Sequence, residues 1–196
     1  MEMDFMAPQA LFRNKIVFCL ILVLICIGMA LGQRRNLVIV TQNDTGLAQK
    51  QGVLYYHNQP ITGSVLRIFP NGALERETTY LDGKQDGTMK GWYANGKPEQ
   101  DRLFVDGNKQ GIHRGWWKNG RLKFEYFFKN DEHNGTAKEW FSDGKSFRVS
   151  RYNMGHEEGL QQVWWADGTV RANYVVKDGQ QYGLIGRKFC RNIYNK

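Results

Sequence analysis

An all-β fold is predicted here, an elongated single-layer antiparallel sheet of stacked β-hairpins behind one N-terminal apolar helix. Three observations carry it. Glycine recurs every 24 residues, Asn-Gly or Asp-Gly pairs recur in step with it, and aromatic columns fill the stretches between them. Self-similarity at a fixed period marks a repeat architecture, in which no unit buries its own apolar face and neighbours must stack.

The chain begins with an uncharged run from Ile16 to Gly32, preceded by Arg13 and Lys15. Such a run targets a chain to a membrane. Ala30 and Gly32 put small residues where a signal peptidase reads, with Gln33 as the new terminus, and the run is also just long enough for an uncleaved anchor. Residues 1–32 are therefore a signal peptide or a membrane anchor, and the rest is expected to be exported to a periplasm or cell envelope, with a membrane contact through residues 16–32 if they are retained. Residues 33–52 read as a cap or linker with one strand-like run, Asn36 to Thr41.

Residues 53–190 hold six repeats, the last one half, and 191–196 form a tail. One glycine column is Gly63, Gly87, Gly111, Gly135, Gly159 and Gly183; a second is Gly72, Gly96, Gly120, Gly144 and Gly168. Both are expected to be structural turn positions. The second column follows Asn71, Asn95, Asn119, Asp143 and Asp167, and Asn-Gly or Asp-Gly between apolar runs predicts two-residue type I′ hairpin loops. Gln59 and Asp131 stand where the other turn of the unit calls for glycine. Two strands per 24 residues leave no room for a helix, and about a dozen strands at ~4.8 Å spacing give a sheet on the order of 55 Å long.

Pairing counted from two-residue loops sorts the side chains onto two faces. Gly111, His113, Gly115, Trp117, Leu122, Phe124, Tyr126 and Phe128 form the core face. On the other face Trp116 opposes Lys123, Arg114 opposes Glu125, Trp92 opposes Glu99 and Lys90 opposes Asp101. That wetter face carries Trp92, Trp116, Trp140 and Trp164 in one column and Lys90, Arg114 and Lys138 in another; these seven are the candidate partner-binding residues. Lys97, Arg121 and Lys145 form a further basic ladder just past the hairpin tips. Exposed tryptophans in register are costly unless something covers them, and tryptophan is enriched where binding energy concentrates. The structural alternative is a second, minor core with Lys90 and Arg114 packed on the indoles.

No catalytic constellation emerges. His57, His113, His133 and His156 share no repeat column, and Asp131-Glu132-His133 and His156-Glu157-Glu158 lie in glycine-rich turns without metal-ligand spacing. The glycines are turn residues rather than a phosphate-cradling loop. Neither a cofactor nor a metal is expected, and the chain reads as a non-enzyme. The formal net charge of +8 falls wholly beyond residue 32, because Arg13 and Lys15 offset Glu2 and Asp4. Without a dense basic run it is no nucleic-acid signature, and export would separate the chain from nucleic acid. Cys19 and Cys26 sit in the apolar run, which leaves Cys190 without a partner for an internal disulfide.

Stretches such as Phe104-Val105-Asp106-Gly107-Asn108-Lys109-Gln110-Gly111 followed by Trp116-Trp117-Lys118-Asn119-Gly120 resemble the MORN (membrane occupation and recognition nexus) repeat, in the variant form common in bacterial exported proteins. The resemblance implies a sheet of stacked hairpins used for protein or lipid contacts, and related bacterial chains carry an antitoxin-like label. The expected function is an envelope scaffold that binds another protein through its repeat sheet. Adhesion to anionic lipid or cell-wall glycan, and neutralisation of a partner toxin, are the alternatives.

Overall fold

A computed structural model describes residues 37–186. The apolar run 16–32, Cys190 and the tail lie outside the described residues. All regular structure within them is β, in one large and one small sheet. The large sheet opens with β1 (Val38–Thr41). Then β2 (Leu47–Lys50), β3 (Val53–Tyr56) and β4 (Gln59–Pro60) form the three-stranded small sheet.

From β5 (Gly63–Ile68) the chain meanders up and down through β6 (Leu74–Leu81), β7 (Lys84–Trp92), β8 (Pro98–Val105), β9 (Asn108–Trp116) and β10 (Leu122–Lys129). The two-residue β11 (Glu132–His133) and β12 (Gly135–Trp140) both pair with β10. The meander closes with β13 (Ser146–Asn153), β14 (His156–Trp164), β15 (Val170–Lys177) and β16 (Gln180–Leu184). The expected pure antiparallel stack needs correction at its start. There β5 pairs on its outer side with β1, in parallel, while the first repeat's strand β3 leaves the stack for the small sheet.

The hairpin loops alternate between two chemistries. Asp82-Gly83, Asp106-Gly107, Asn130-Asp131, Met154-Gly155 and Asp178-Gly179 have positive φ at both residues, and the flanking residues pair directly, as Leu81 does with Lys84. These are the type I′ turns. Asp131 holds the left-handed conformation (φ 67°) in place of glycine, which aspartate tolerates. Gln59 does not: the turn slips back one residue to His57-Asn58, and Gln59 enters β4.

The Asn-Gly and Asp-Gly tips are not two-residue loops. At Tyr93 to Lys97 the Gly96 N–H donates to Tyr93 O and the Tyr93 N–H to Lys97 O. Ala94 and Asn95 keep negative φ, and only Gly96 is positive at 77°. This is a β-turn followed by a glycine bulge, a three-residue loop. Asn71, Asn95, Asn119, Asp143 and Asp167 serve it in another way: each accepts the N–H two residues on through its side-chain oxygen.

A bulge beside each tip makes up the missing residue, so Trp92 pairs with Pro98 while Gly91 pairs with Gln100. Likewise Trp116 opposes Leu122, not Lys123, and Leu122 leaves the core face. Lys123 swings across to lie 4.6 Å over the Trp117 ring, as Arg171 lies 4.5 Å over Trp165. The other glycine column is corrected too. Gly63, Gly87, Gly111, Gly135, Gly159 and Gly183 lie inside strands with φ between 67° and 147°, not in turns. Next to Gly87 the register shifts between Thr78 and Tyr80, so the glycine marks a bulge where a side-chain-bearing residue would be strained.

Each bulge turns a ring into the core. Gly87 pairs with Phe104, Gly111 with Phe128 and Gly135 with Tyr152. His113 fills the space between, 5.5 Å from the Phe104 ring and 4.7 Å from Phe128; His133 lies 4.3 Å from Phe128 and 5.1 Å from Tyr152. Burying such rings contributes roughly 1.5–3 kcal/mol each, all of it shared between neighbouring units.

Candidate functional site

Following the pairing strand by strand defines the face that carries the tryptophans. Its central row runs Glu77, Lys90, Asp101, Arg114, Glu125, Lys138, Val149. Three acids alternate with three bases. The basic ladder expected from Lys90, Arg114 and Lys138 is therefore one half of a neutral, alternating row, an arrangement that favours cross-strand attraction. Arg114 Nε binds Glu125 at 2.8 Å. Lys90 and Lys138 are exposed and form no ion pair among the described residues, although Lys90 faces Asp101 and Glu77 in register.

On the tip side of this row stand Trp92, Trp116, Trp140 and Trp164, all half-buried. Their cross-strand partners are Pro98, Leu122, Ser146 and Val170. A shallow groove of about 260 Å³ lies between Trp92 and Trp116, bordered by Lys90, Pro98 and Asp101. Neither Lys90 nor Arg114 lies over an indole: the cation–π contacts to tryptophan fall on Trp117 and Trp165, rings of the other face.

On the type I′ side of the charged row lies a second apolar stripe, interrupted at Thr136 and Arg151. Ile112 pairs with Phe127 and Leu160 with Val175, while Leu103 pairs with Thr88. These side chains are open to solvent, Ile112 at 47% and Phe127 at 42%. This stripe was not among the candidates read from the sequence. Its signal was present in Leu103-Phe104 and Phe127-Phe128, since two adjacent apolar residues on one strand cannot both face the core.

The second basic ladder has a structural task. Lys97 Nζ donates to Asn119 O at 3.1 Å, Arg121 Nη1 to Asp143 O, and Lys145 Nζ to Ala166 O at 3.1 Å, each tying one tip to the next. Tyr93 Oη and Trp117 Nε1 donate to the carbonyls of Trp116 and Trp140, so the tip column of the core face is bolted to the backbone beneath the tryptophan row. At the opposite edge the N–H groups of Gly83, Gly107, Asp131 and Gly155 donate to Ile61, Gln85, Lys109 and His133 carbonyls. Both edges are stapled, which holds the three rows in register.

The histidines do not converge. His113 is buried and its Nε2–H donates to Leu103 O at 2.8 Å. His133 belongs to the ring stack, while Asp131 accepts the Lys109 N–H. Burial holds both imidazoles below their ordinary value.

A family model described as "MORN repeat variant" matches residues 85–106 and 109–130, the hairpin units around β7 to β10. Repeats of this kind are in general protein- or membrane-interaction modules rather than catalytic ones. No curated protein matches the chain.

Proposed function

We propose that this chain is a non-enzymatic interaction module that binds a protein partner through its tryptophan face. One observation carries the reading: a half-buried tryptophan row and a solvent-open apolar stripe flank a row of alternating charge, all held in register by staples at both edges. Contiguous apolar surface rimmed by polar groups marks a binding site, and alternating charges specify register and partner more than they add affinity. A bilayer or an acidic glycan would be met best by a surface of one sign, and the neutral central row offers none. Export to a cell envelope, resting on the run 16–32, sets where the partner would be met.

Affinity purification from envelope extract with the full chain, followed by mass spectrometry, tests the reading. One protein retained in stoichiometric amount is expected. Trp116→Ala and Trp140→Ala should each weaken capture about tenfold or more, as hot-spot truncation does, while the unfolding temperature moves little. Retention on anionic liposomes or wall material that salt abolishes would instead favour adhesion, and a toxin as the captured protein would identify the module as its neutraliser. N-terminal sequencing of the mature product should start at or near Gln33; an intact Met1 on a membrane-embedded product would make residues 1–32 an anchor.

A further inference from the structure

The face opposite the tryptophans holds a second, unrelated feature at its N-terminal end. A register row there begins Arg67, Arg76, Gly91, Gln100, so two guanidinium groups stand directly across from each other, where like charges repel. Arg102 stands in the adjoining row with Met89 and Thr78. Glu75 supplies a carboxylate, and it is engaged with Arg67 at 2.9 Å.

The Nε atoms of Arg76 and Arg102 are buried and meet no acceptor among the described residues. Leaving a buried guanidinium N–H unpaired is unfavourable, because its hydration is lost and nothing replaces it. Burial, and after it the charge of Arg76, press the Arg102 guanidinium below its ordinary value, only partly offset by Glu99 and Tyr126. Positive charge is thus in excess at this spot, beyond what the nearby carboxylates answer.

The small sheet forms a wall beside Arg67 and Arg76, and Arg102 lies outside the space they share. Between the two sheets lies a cavity of about 250 Å³, lined by Arg67, Arg76, Tyr80 and Gln85 from the large sheet and by Leu47 and Leu54 from the small one. Polar donors thus meet a wall that is apolar apart from Gln49, the division of labour of a small-molecule site, at a volume just below the usual range of roughly 300–1,000 Å³. We propose that this cavity binds a small oxyanion, a phosphate or a carboxylate on a compact apolar body, with Arg76 as the principal donor. The planar guanidinium fork matches either group in bidentate fashion, which a lysine would not.

Thermal unfolding of the full chain tests this with two probes, inorganic phosphate and butyrate, each against chloride at equal ionic strength. At ten times the dissociation constant, a saturable rise in the midpoint of about 3–6 °C is expected with at least one probe. A response to phosphate assigns a phosphate ligand, and a response to butyrate assigns a carboxylate. Arg76→Gln should abolish the response, whereas Arg171→Gln, far along the sheet, should retain it. Should Arg76→Gln not fold, the arginine Nε–Hε resonances of the wild-type chain give a second readout, with saturable movement of the buried signals expected. No rise beyond chloride with either probe, a full response retained in Arg76→Gln, or arginine signals unmoved at saturation would each overturn the proposal.

Discussion

At the scale of the residue, His113 shows how a repeat column can be read for one property and miss another. Its column continues as Met89, Ala137 and Gln161, a series whose chemistry changes while its burial does not. The structure supplies the reason: Gln161 Nε2 donates to Arg151 O at 2.8 Å, and Arg151 stands two periods after Leu103, whose carbonyl His113 holds. In the unit with Ala137 the Asn134 N–H serves Phe127 O instead. The bulge exposes a carbonyl, and different units answer it with different donors. His113→Gln should therefore preserve the bond, while His113→Leu removes the donor and should cost about 1–3 kcal/mol, measured by urea unfolding.

The same site sets a pH dependence. Burial, with Arg102 and Lys109 adding to it, keeps the folded-state value of His113 below that of the unfolded chain, and His133 shares that direction. The neutral form is favoured on folding, so the stabilisation is complete above about pH 6.5 and is lost as the pH falls through the folded-state value. The midpoint should drop between pH 7 and 5, and by less in His113→Gln. His113 on the core face was legible from its alternation with the aromatics. Its donor role was not, because it depends on a bulge that no local motif announces.

At the scale of the element, the two loops of each unit were both recognisable as turns, and their types were not. Asn-Gly satisfies a type I′ turn and equally a three-residue loop in which asparagine accepts a local N–H. The second choice moves Lys123 across the sheet and puts Leu122 beside Trp116, so one residue of slip decides what the tryptophan face is made of. Arg114–Glu125 and Lys90 opposite Asp101 were still read correctly, because the adjoining bulge restores the count.

Asn119 tests the loop assignment well. It accepts the Arg121 N–H at 3.0 Å and donates to Ser142 O at 2.7 Å. Asn119→Ala should cost about 1–2 kcal/mol, and Asn119→Asp, which keeps the acceptor alone, about half of that. Equal stability of all three in urea would mean that these bonds are not what holds the tip.

At the scale of the whole molecule, the stack of hairpins was legible because its cause is periodic: glycine and aromatic columns repeat wherever the backbone must bulge and a ring must fill the gap. The departure of the first repeat was not, because β1 pairs with β5 through backbone hydrogen bonds that leave no period in the sequence. Cooperativity follows from the shared core. Removing 24 residues, Gly111 to Asn134, joins Gln110 to Gly135 in the same column and should leave a shorter sheet with one sharp unfolding transition. Removing only Gly111 to Leu122 joins strands of opposite direction and should abolish that transition.

The claim on which the functional account rests is that the tryptophan face, with its two apolar stripes, is where a partner sits. Hydroxyl-radical footprinting of the chain, free and then saturated with the captured partner, tests it without any substitution. Oxidation of Trp116, Trp140 and Phe127 should fall severalfold in the complex, while Phe124 and Tyr126 on the opposite face react as before. Protection confined to Phe124 and Tyr126, with the tryptophan row still reactive, would contradict the account.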